Sequence, residues 1–170
     1  MADRSQSESA LVQFSERLTN SAAFGSLFRE GMDLVEETAA YLDGDGRTEA
    51  KALERSVSLT YATESMRLTT RLMQLASWLL LHRAVKEGEM TLTQANREKT
   101  KVKLSAADPG PEDMVTKLPA QLQELIARSM SLQARVRRLD TSIHAPPAER
   151  PPIGNPLVPQ LNRLKAAFEQ

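Results

Sequence analysis

Cysteine is absent from this 170-residue chain. That excludes a disulfide framework, a thiolate metal site and a cysteine nucleophile. Histidine is nearly absent too. His82 and His144 are too few to build a histidine-rich metal centre within one chain. The seven glycines are scattered, and no GxxxxGK[ST] or GxGxxG run makes a phosphate cradle. No GxSxG motif sets a serine on a nucleophile elbow. Charge excess is missing as well. Lys+Arg number 22 and Asp+Glu number 22, so nothing pulls the whole chain toward nucleic acid or an anionic membrane. The most apolar run, Leu75 to Leu81, is far shorter than the ~20 residues a spanning helix needs. The first residues lack the basic start and apolar stretch of a secretory signal. These absences lead to the expectation of a soluble, cytoplasmic, non-enzymatic protein with no cofactor and no metal.

What is present is helical periodicity. An N-cap at Asn20 or Ser21 would open a helix running to about Leu42, with Phe24, Phe28, Val35 and Leu42 recurring at helical spacing and Leu27 and Leu34 beside them. Asp43-Gly-Asp-Gly46 would end it. Thr48 is placed to cap a short helical turn through Arg55. A long helix is then expected from Ser56 or Ser58 to Glu87, stopping at Gly88. It carries two stripes. One is Leu59, Ala62, Met66, Thr69, Met73, Ala76 and Leu80; the other is Leu68, Leu72, Leu75 and Leu79. Trp78 to Leu81 are four consecutive apolar residues and occupy about 300° of arc, more than one bundle core takes. A helix apolar nearly all round is buried on several sides. The expectation is that one side meets a second subunit, with Trp78, Leu79, Leu81 and Val85 as interface candidates in a homodimer.

Residues 88–118 are less regular. Thr91 or Thr93 would start a short helix through about Lys99. Lys99 to Leu104 reads as a fraying helix end, and Asp108-Pro-Gly-Pro111 as a break. A third long helix should start at Pro119 and reach about Ile143. Leu118, Leu122, Leu125, Ser129, Leu132, Val136, Leu139 and Ile143 step by four and three, a heptad seam interrupted by one serine. The fold class is therefore all-α, an antiparallel three-helix bundle with long helices over residues 21–143. A polar arm (1–20) precedes it, in which Ser9 would cap a short helix. A Pro-rich tail (144–170) follows, holding six of the nine prolines. Within the tail Leu157, Leu161, Leu164 and Phe168 form a short amphipathic segment suited to binding a partner.

Candidate chemistry is thin. The acidic turn from Asp43 with Glu54 eleven residues on is similar to a calcium loop, but Arg47 and Thr48 stand where the loop needs Asp/Asn and Gly, so a helix-ending turn is expected. His82 has Lys86 four residues on, not a second ligand, and reads as a surface or interface residue; His144 falls in the solvated tail. Glu64, Arg67 and Arg71 form a charged row, read as pairing on the helix surface or between helices. Lys99, Lys101 and Lys103, and Arg135, Arg137 and Arg138, make two basic clusters. Residues 1–55 carry net −5, residues 56–110 net +3 and residues 111–170 net +2. A dimeric helical DNA-associated regulator is the alternative reading, although nucleic-acid domains usually show a stronger basic excess.

Two long stretches carry a resemblance. They are Phe28-Arg-Glu-Gly-Met-Asp-Leu-Val-Glu-Glu-Thr-Ala-Ala-Tyr-Leu-Asp-Gly44 and Tyr61-Ala-Thr-Glu-Ser-Met-Arg-Leu-Thr-Thr-Arg-Leu-Met-Gln-Leu-Ala-Ser-Trp-Leu-Leu-Leu81. Together they resemble the alphaproteobacterial RcdA family, the regulators of CtrA degradation, most strongly over about residues 20–105. The resemblance implies a dimeric three-helix bundle with a flexible C-terminal tail. It implies an adaptor in regulated proteolysis that joins ClpXP, primed by a CpdR-like response regulator, to cell-cycle protein substrates. It also implies concentration at a cell pole through partners, and supplies no catalytic residue.

Overall fold

A computed structural model describes residues 22–99 and 111–144. The expected arm helix, the caps at Asn20 or Ser21, most of the Lys99–Leu104 stretch and the amphipathic tail segment lie outside the described residues. Within them there are six helices and no strand: α1 (Ala22–Asp43), α2 (Asp45–Lys51), α3 (Arg55–Lys86), α4 (Leu92–Lys99), α5 (Glu112–Val115) and α6 (Ala120–His144).

Local chemistry sets these boundaries. α1 stops at Gly44, whose N–H donates to Ala40 O at 3.0 Å and Tyr41 O at 3.2 Å. α2 then starts at once, earlier than the expected cap at Thr48. α3 has 32 residues, about 48 Å. It ends where Gly88, at φ +75°, turns the chain left-handed. The Gly88 N–H donates to Val85 O and the Glu89 N–H to Ala84 O, so two carbonyls of the last turn are satisfied. Arg83 and Lys86 complement the dipole there. α4 begins with a capping box. The Gln94 N–H donates to Thr91 Oγ1, and the Thr91 N–H donates to Gln94 Oε1. Pro119 lies just before α6 and accepts from the Gln123 N–H at 3.1 Å. It therefore acts as the cap and not as the first helical residue.

Three long helices form the bundle. Buried positions on α1 are Phe24, Leu27, Gly31, Leu34, Thr38 and Tyr41, steps of three and four. They meet Leu68, Leu72, Leu75, Trp78 and Leu79 of α3 and Leu122, Leu125, Leu132 and Val136 of α6. Of the α1 positions expected inside, Phe28, Val35 and Leu42 are only half-buried. Gly31 lets the helices close up, because a Cβ there would come within 2.4 Å of Leu79 Cδ1.

Directions follow from pairs across helices. Phe24 packs near Trp78, while Gly46 lies against Tyr61, so α1 is antiparallel to α3. Glu37 pairs with Arg128 and Glu30 with Arg135, so α1 is antiparallel to α6. α3 and α6 consequently run the same way, with Arg71 bonded to Ser129 and Trp78 to Asp140. The antiparallel expectation holds for α1 against each partner. The connection over residues 87–119, which contains α4 and α5, returns the chain to the starting end before α6 begins.

Candidate protein-interaction surfaces

α3 is where the two stripes separate. Leu68, Leu72, Leu75 and Leu79 are buried against α1 and α6. The other stripe faces outward: Leu59 is 71% exposed, Met66 72%, Met73 65% and Leu80 52%. Small or hydroxylated residues flank them, and the exposed hydroxyls of Thr60, Thr63, Thr69 and Ser77 donate to the carbonyls one turn back. Those bonds leave mainly methyl and methylene groups on the surface. Scattered exposed apolar residues are ordinary; a row of them on one face of a helix is a candidate docking surface.

The expected interface residues do not share that face. Trp78 is 1% exposed and Leu79 0% within the single chain, so neither is available to a second subunit. Trp78 packs on Phe24 with centroids 6.4 Å apart and stacks on His82 at 3.9 Å. Its Nε1–H donates to Asp140 Oδ1 at 2.9 Å, and Asp140 also accepts from Lys99. Trp78 thus joins α1, α3 and α6, with α4 tied in through Lys99. Leu81 and Val85 are half-buried.

His82 is also a core residue, 0% exposed, where a surface or interface position was expected. Its Nδ1 lies 3.0 Å from Trp78 O. A carbonyl only accepts, so Nδ1 carries the proton. Stacking on Trp78 holds the ring inside.

The charged row splits into one pair along α3 and one contact between helices. Glu64 and Arg71 are both buried. Arg67 donates to Glu64 Oε1 at 2.6 Å, and Arg71 Nη1 donates to Ser129 Oγ at 2.8 Å. The Ser129 hydroxyl in turn donates to Ile126 O at 2.7 Å. The serine that interrupts the α6 seam is therefore the acceptor for a buried guanidinium. Burial lowers the Arg71 pKa from its ordinary value, while the Glu64 charge raises it.

At the opposite end from Trp78, Tyr41 Oη donates to Glu49 Oε2 at 2.7 Å. Burial is the main reason that the Tyr41 and Tyr61 pKa values lie above the usual range. An open hollow of about 530 Å³ is lined here by Leu42, Ala50 and Tyr61 together with Arg47 and Lys51. Asp43, first residue of the supposed calcium loop, is bonded to Arg47, and Glu49 to Tyr41. The segment is a turn and a helix, as expected. Among the described residues no three His, Asp or Glu side chains group as a metal site, and no helix is long and apolar enough to cross a membrane.

The family model described as "Protein of unknown function (DUF1465)" matches residues 15–168. The solved structure of RcdA from Caulobacter crescentus CB15 is similar at 50% sequence identity. The match covers 75% of this chain and 96% of that one, with a TM-score of 0.62. The chain belongs to the RcdA family. No curated protein matches it. The two stretches that resemble RcdA proteins fall on α1 and α3, the helices that build the core and the outward stripe. The basic clusters expected of a DNA-associated regulator are partly neutralised. Arg135 is bonded to Glu30 and Lys99 to Asp140. Lys101 and Lys103 lie outside the described residues.

The outward stripe was visible in the sequence as a period. What local sequence left open was which stripe the other helices would cover. The signal lay in residue type: the covered stripe is all leucine, whereas the open one has leucine only at its ends, with methionine, alanine and threonine between.

Proposed function

We propose that this protein is a non-enzymatic adaptor in regulated proteolysis, linking a CpdR-primed ClpXP protease to cell-cycle regulatory substrates. Membership of the RcdA family supports this reading. The observation that carries it on this chain is the outward apolar stripe of α3, from Leu59 to Leu80, on a helix whose other side is locked into a core. Its buried charges are engaged, Glu64 by Arg67 on the same helix and Arg71 by Ser129 of α6, so they serve the fold in place of activating a substrate.

The adaptor acts as a homodimer. Of the four interface candidates, Leu81 and Val85 keep some surface, and the outward stripe supplies the rest. A second contact belongs to the tail, where Leu157, Leu161, Leu164 and Phe168 repeat at +4, +3, +4 on a proline-rich tether. Two weak sites on one object reinforce each other through effective concentration. Its place is the cytoplasm, gathered at a cell pole by its partners.

Reconstituted degradation tests the reading. ClpXP and a CpdR-like regulator should degrade the cognate substrate several-fold faster with this protein present. Deleting 145–170 should remove that gain while leaving helix content unchanged by circular dichroism. No acceleration with any substrate captured from the native lysate would sink the adaptor reading.

A further inference from the structure

The hollow at the tyrosine end takes no part in the contacts proposed above. It opens between α2 and the start of α3, and its volume of about 530 Å³ is ordinary for a ligand pocket, about 300–1,000 Å³. Its α3 wall is Ser58, Tyr61 and Ser65, one face in steps of three and four. Tyr61 lies close under α2 because residue 46 is glycine; a Cβ there would come within 2.6 Å of Tyr61 Oη. Leu42 and Ala50 add apolar surface beside it. Charge on α2 is sided. Arg47 and Lys51 line the hollow with Ala50, while Asp45 and Glu49 lie about half a turn away. Glu49 is engaged by Tyr41. Asp43 holds Arg47, but both are exposed, so solvent weakens that pair. Lys51 has no ion pair among the described residues. Two buried hydroxyl oxygens in the wall, Tyr61 Oη and Ser65 Oγ, have no hydrogen-bond partner. Such groups favour an occupant that brings an acceptor.

We propose that this hollow docks a short acidic segment of a partner protein, one bulky apolar side chain entering between α2 and α3 while adjoining carboxylates pair with Lys51 and Arg47. The apolar surface of Leu42, Ala50 and Tyr61 calls for the apolar side chain, and the basic rim calls for the carboxylates. The hollow is open on one side. It therefore suits a side chain presented from a protein surface better than a metabolite, which a pocket normally encloses. The proposal rests on the adaptor reading only in taking the occupant to be a protein. The site is at the opposite end of α3 from Trp78 and α4, so an occupant here leaves the far end of the outward stripe open. Two partners held at separate places on one chain are brought together at raised effective concentration. Because the charges on the rim are exposed, the contact weakens as salt rises.

The test is a titration of the ¹⁵N-labelled full chain, followed by NMR. The probe is the blocked peptide acetyl-Asp-Glu-Phe-Asp-Glu-amide. One control peptide has serine for phenylalanine, and the other has lysine for all four acids. The acidic peptide should shift amides within residues 46–51 and 58–65 and leave those of residues 76–80 in place. Both controls should bind at least fivefold more weakly. Lys51→Glu, an exposed change that leaves the core alone, should weaken the acidic peptide at least fivefold and strengthen the lysine peptide. Ser58→Phe should fill the hollow from the α3 side and abolish the shifts, with helix content retained by circular dichroism. Leu80→Ser, on the far part of the stripe, should change nothing in this titration. Equal binding of acidic and lysine peptides, or shifts confined to the outward stripe, would overturn the proposal. So would decanoate shifting the same amides while no peptide does, since the hollow would then be a site for a small amphiphile. The degradation assay separates this result from the adaptor reading. A chain that accelerates degradation yet ignores the peptides keeps that reading and loses the hollow as a docking site.

Discussion

The two sides of α3 are both apolar, yet they are built differently. The inner side uses Leu68, Leu72, Leu75 and Leu79, with Trp78 beside them, and buries Glu64, Arg71 and His82 among them. Each polar member has a specific partner: Arg71 has Ser129, His82 stacks on Trp78, and Glu64 accepts from Arg67. The outer side uses Leu59, Met66, Met73 and Leu80 with threonine and alanine between. Branched leucines in defined rotamers specify one packing, whereas unbranched methionine adapts to several. The inner face therefore fixes a fold, and the outer face is suited to contacts that form and separate.

The largest test of this contrast is Trp78→Ala. It should cost about 3–5 kcal/mol in urea unfolding, because a fully buried aromatic is lost and Asp140 loses a donor. Arg71→Leu comes next. It should cost about 3 kcal/mol, since Ser129 and the buried Glu64 lose a cationic neighbour. Glu64→Leu/Arg71→Leu should recover part of that loss; a double-variant loss equal to the sum of the single losses would show that the two charges do not act together. Gly46→Ala should cost about 1–3 kcal/mol and more than Gly31→Ala. The new methyl at 46 would meet the Tyr41 carbonyl oxygen at 2.8 Å, whereas at 31 it meets the end of a leucine side chain.

The tyrosine end of the bundle adds a pH test. Tyr41 and Tyr61 have folded pKa values above their unfolded value near ~10, so above that pH the unfolded chain loses protons first. Their stabilising effect is present below pH ~10 and is lost as pH rises toward the raised folded values. Melting temperature should fall over that range, and Tyr41→Phe should flatten the fall. The smallest effect belongs to the outer face. Met66→Ser/Met73→Ser should change single-chain unfolding by less than ~0.5 kcal/mol, while self-association weakens clearly in light scattering. A large loss of single-chain stability would erase the distinction between the two faces.

Much of the fold was legible because helix periodicity is local. The steps from Leu118 to Ile143 located α6, and Gly88 marked the end of α3. α5 was not legible, since four residues carry no period. Two of the interface candidates, Trp78 and Leu79, were misplaced for a related reason. The run from Trp78 to Leu81 signalled too much apolar surface for one core, and that inference survives in the outward stripe. Which of those side chains went inward depended on α1 and α6, whose approach is set by Gly31, Phe24 and Asp140, all distant in sequence.

The amino-acid sequence by itself determined an all-helical chain, its three long segments, both stripes of α3 and the absence of cysteine chemistry. Those properties follow from side chains a few residues apart on one helix. Only the tertiary structure decided that α3 and α6 run the same way, that Ser129 receives Arg71, that His82 is buried, and that the methionine stripe stays open. Each of these is a choice of which surfaces meet. A helix shows in its sequence what it could bury; burial itself is settled by the helices that arrive from elsewhere in the chain.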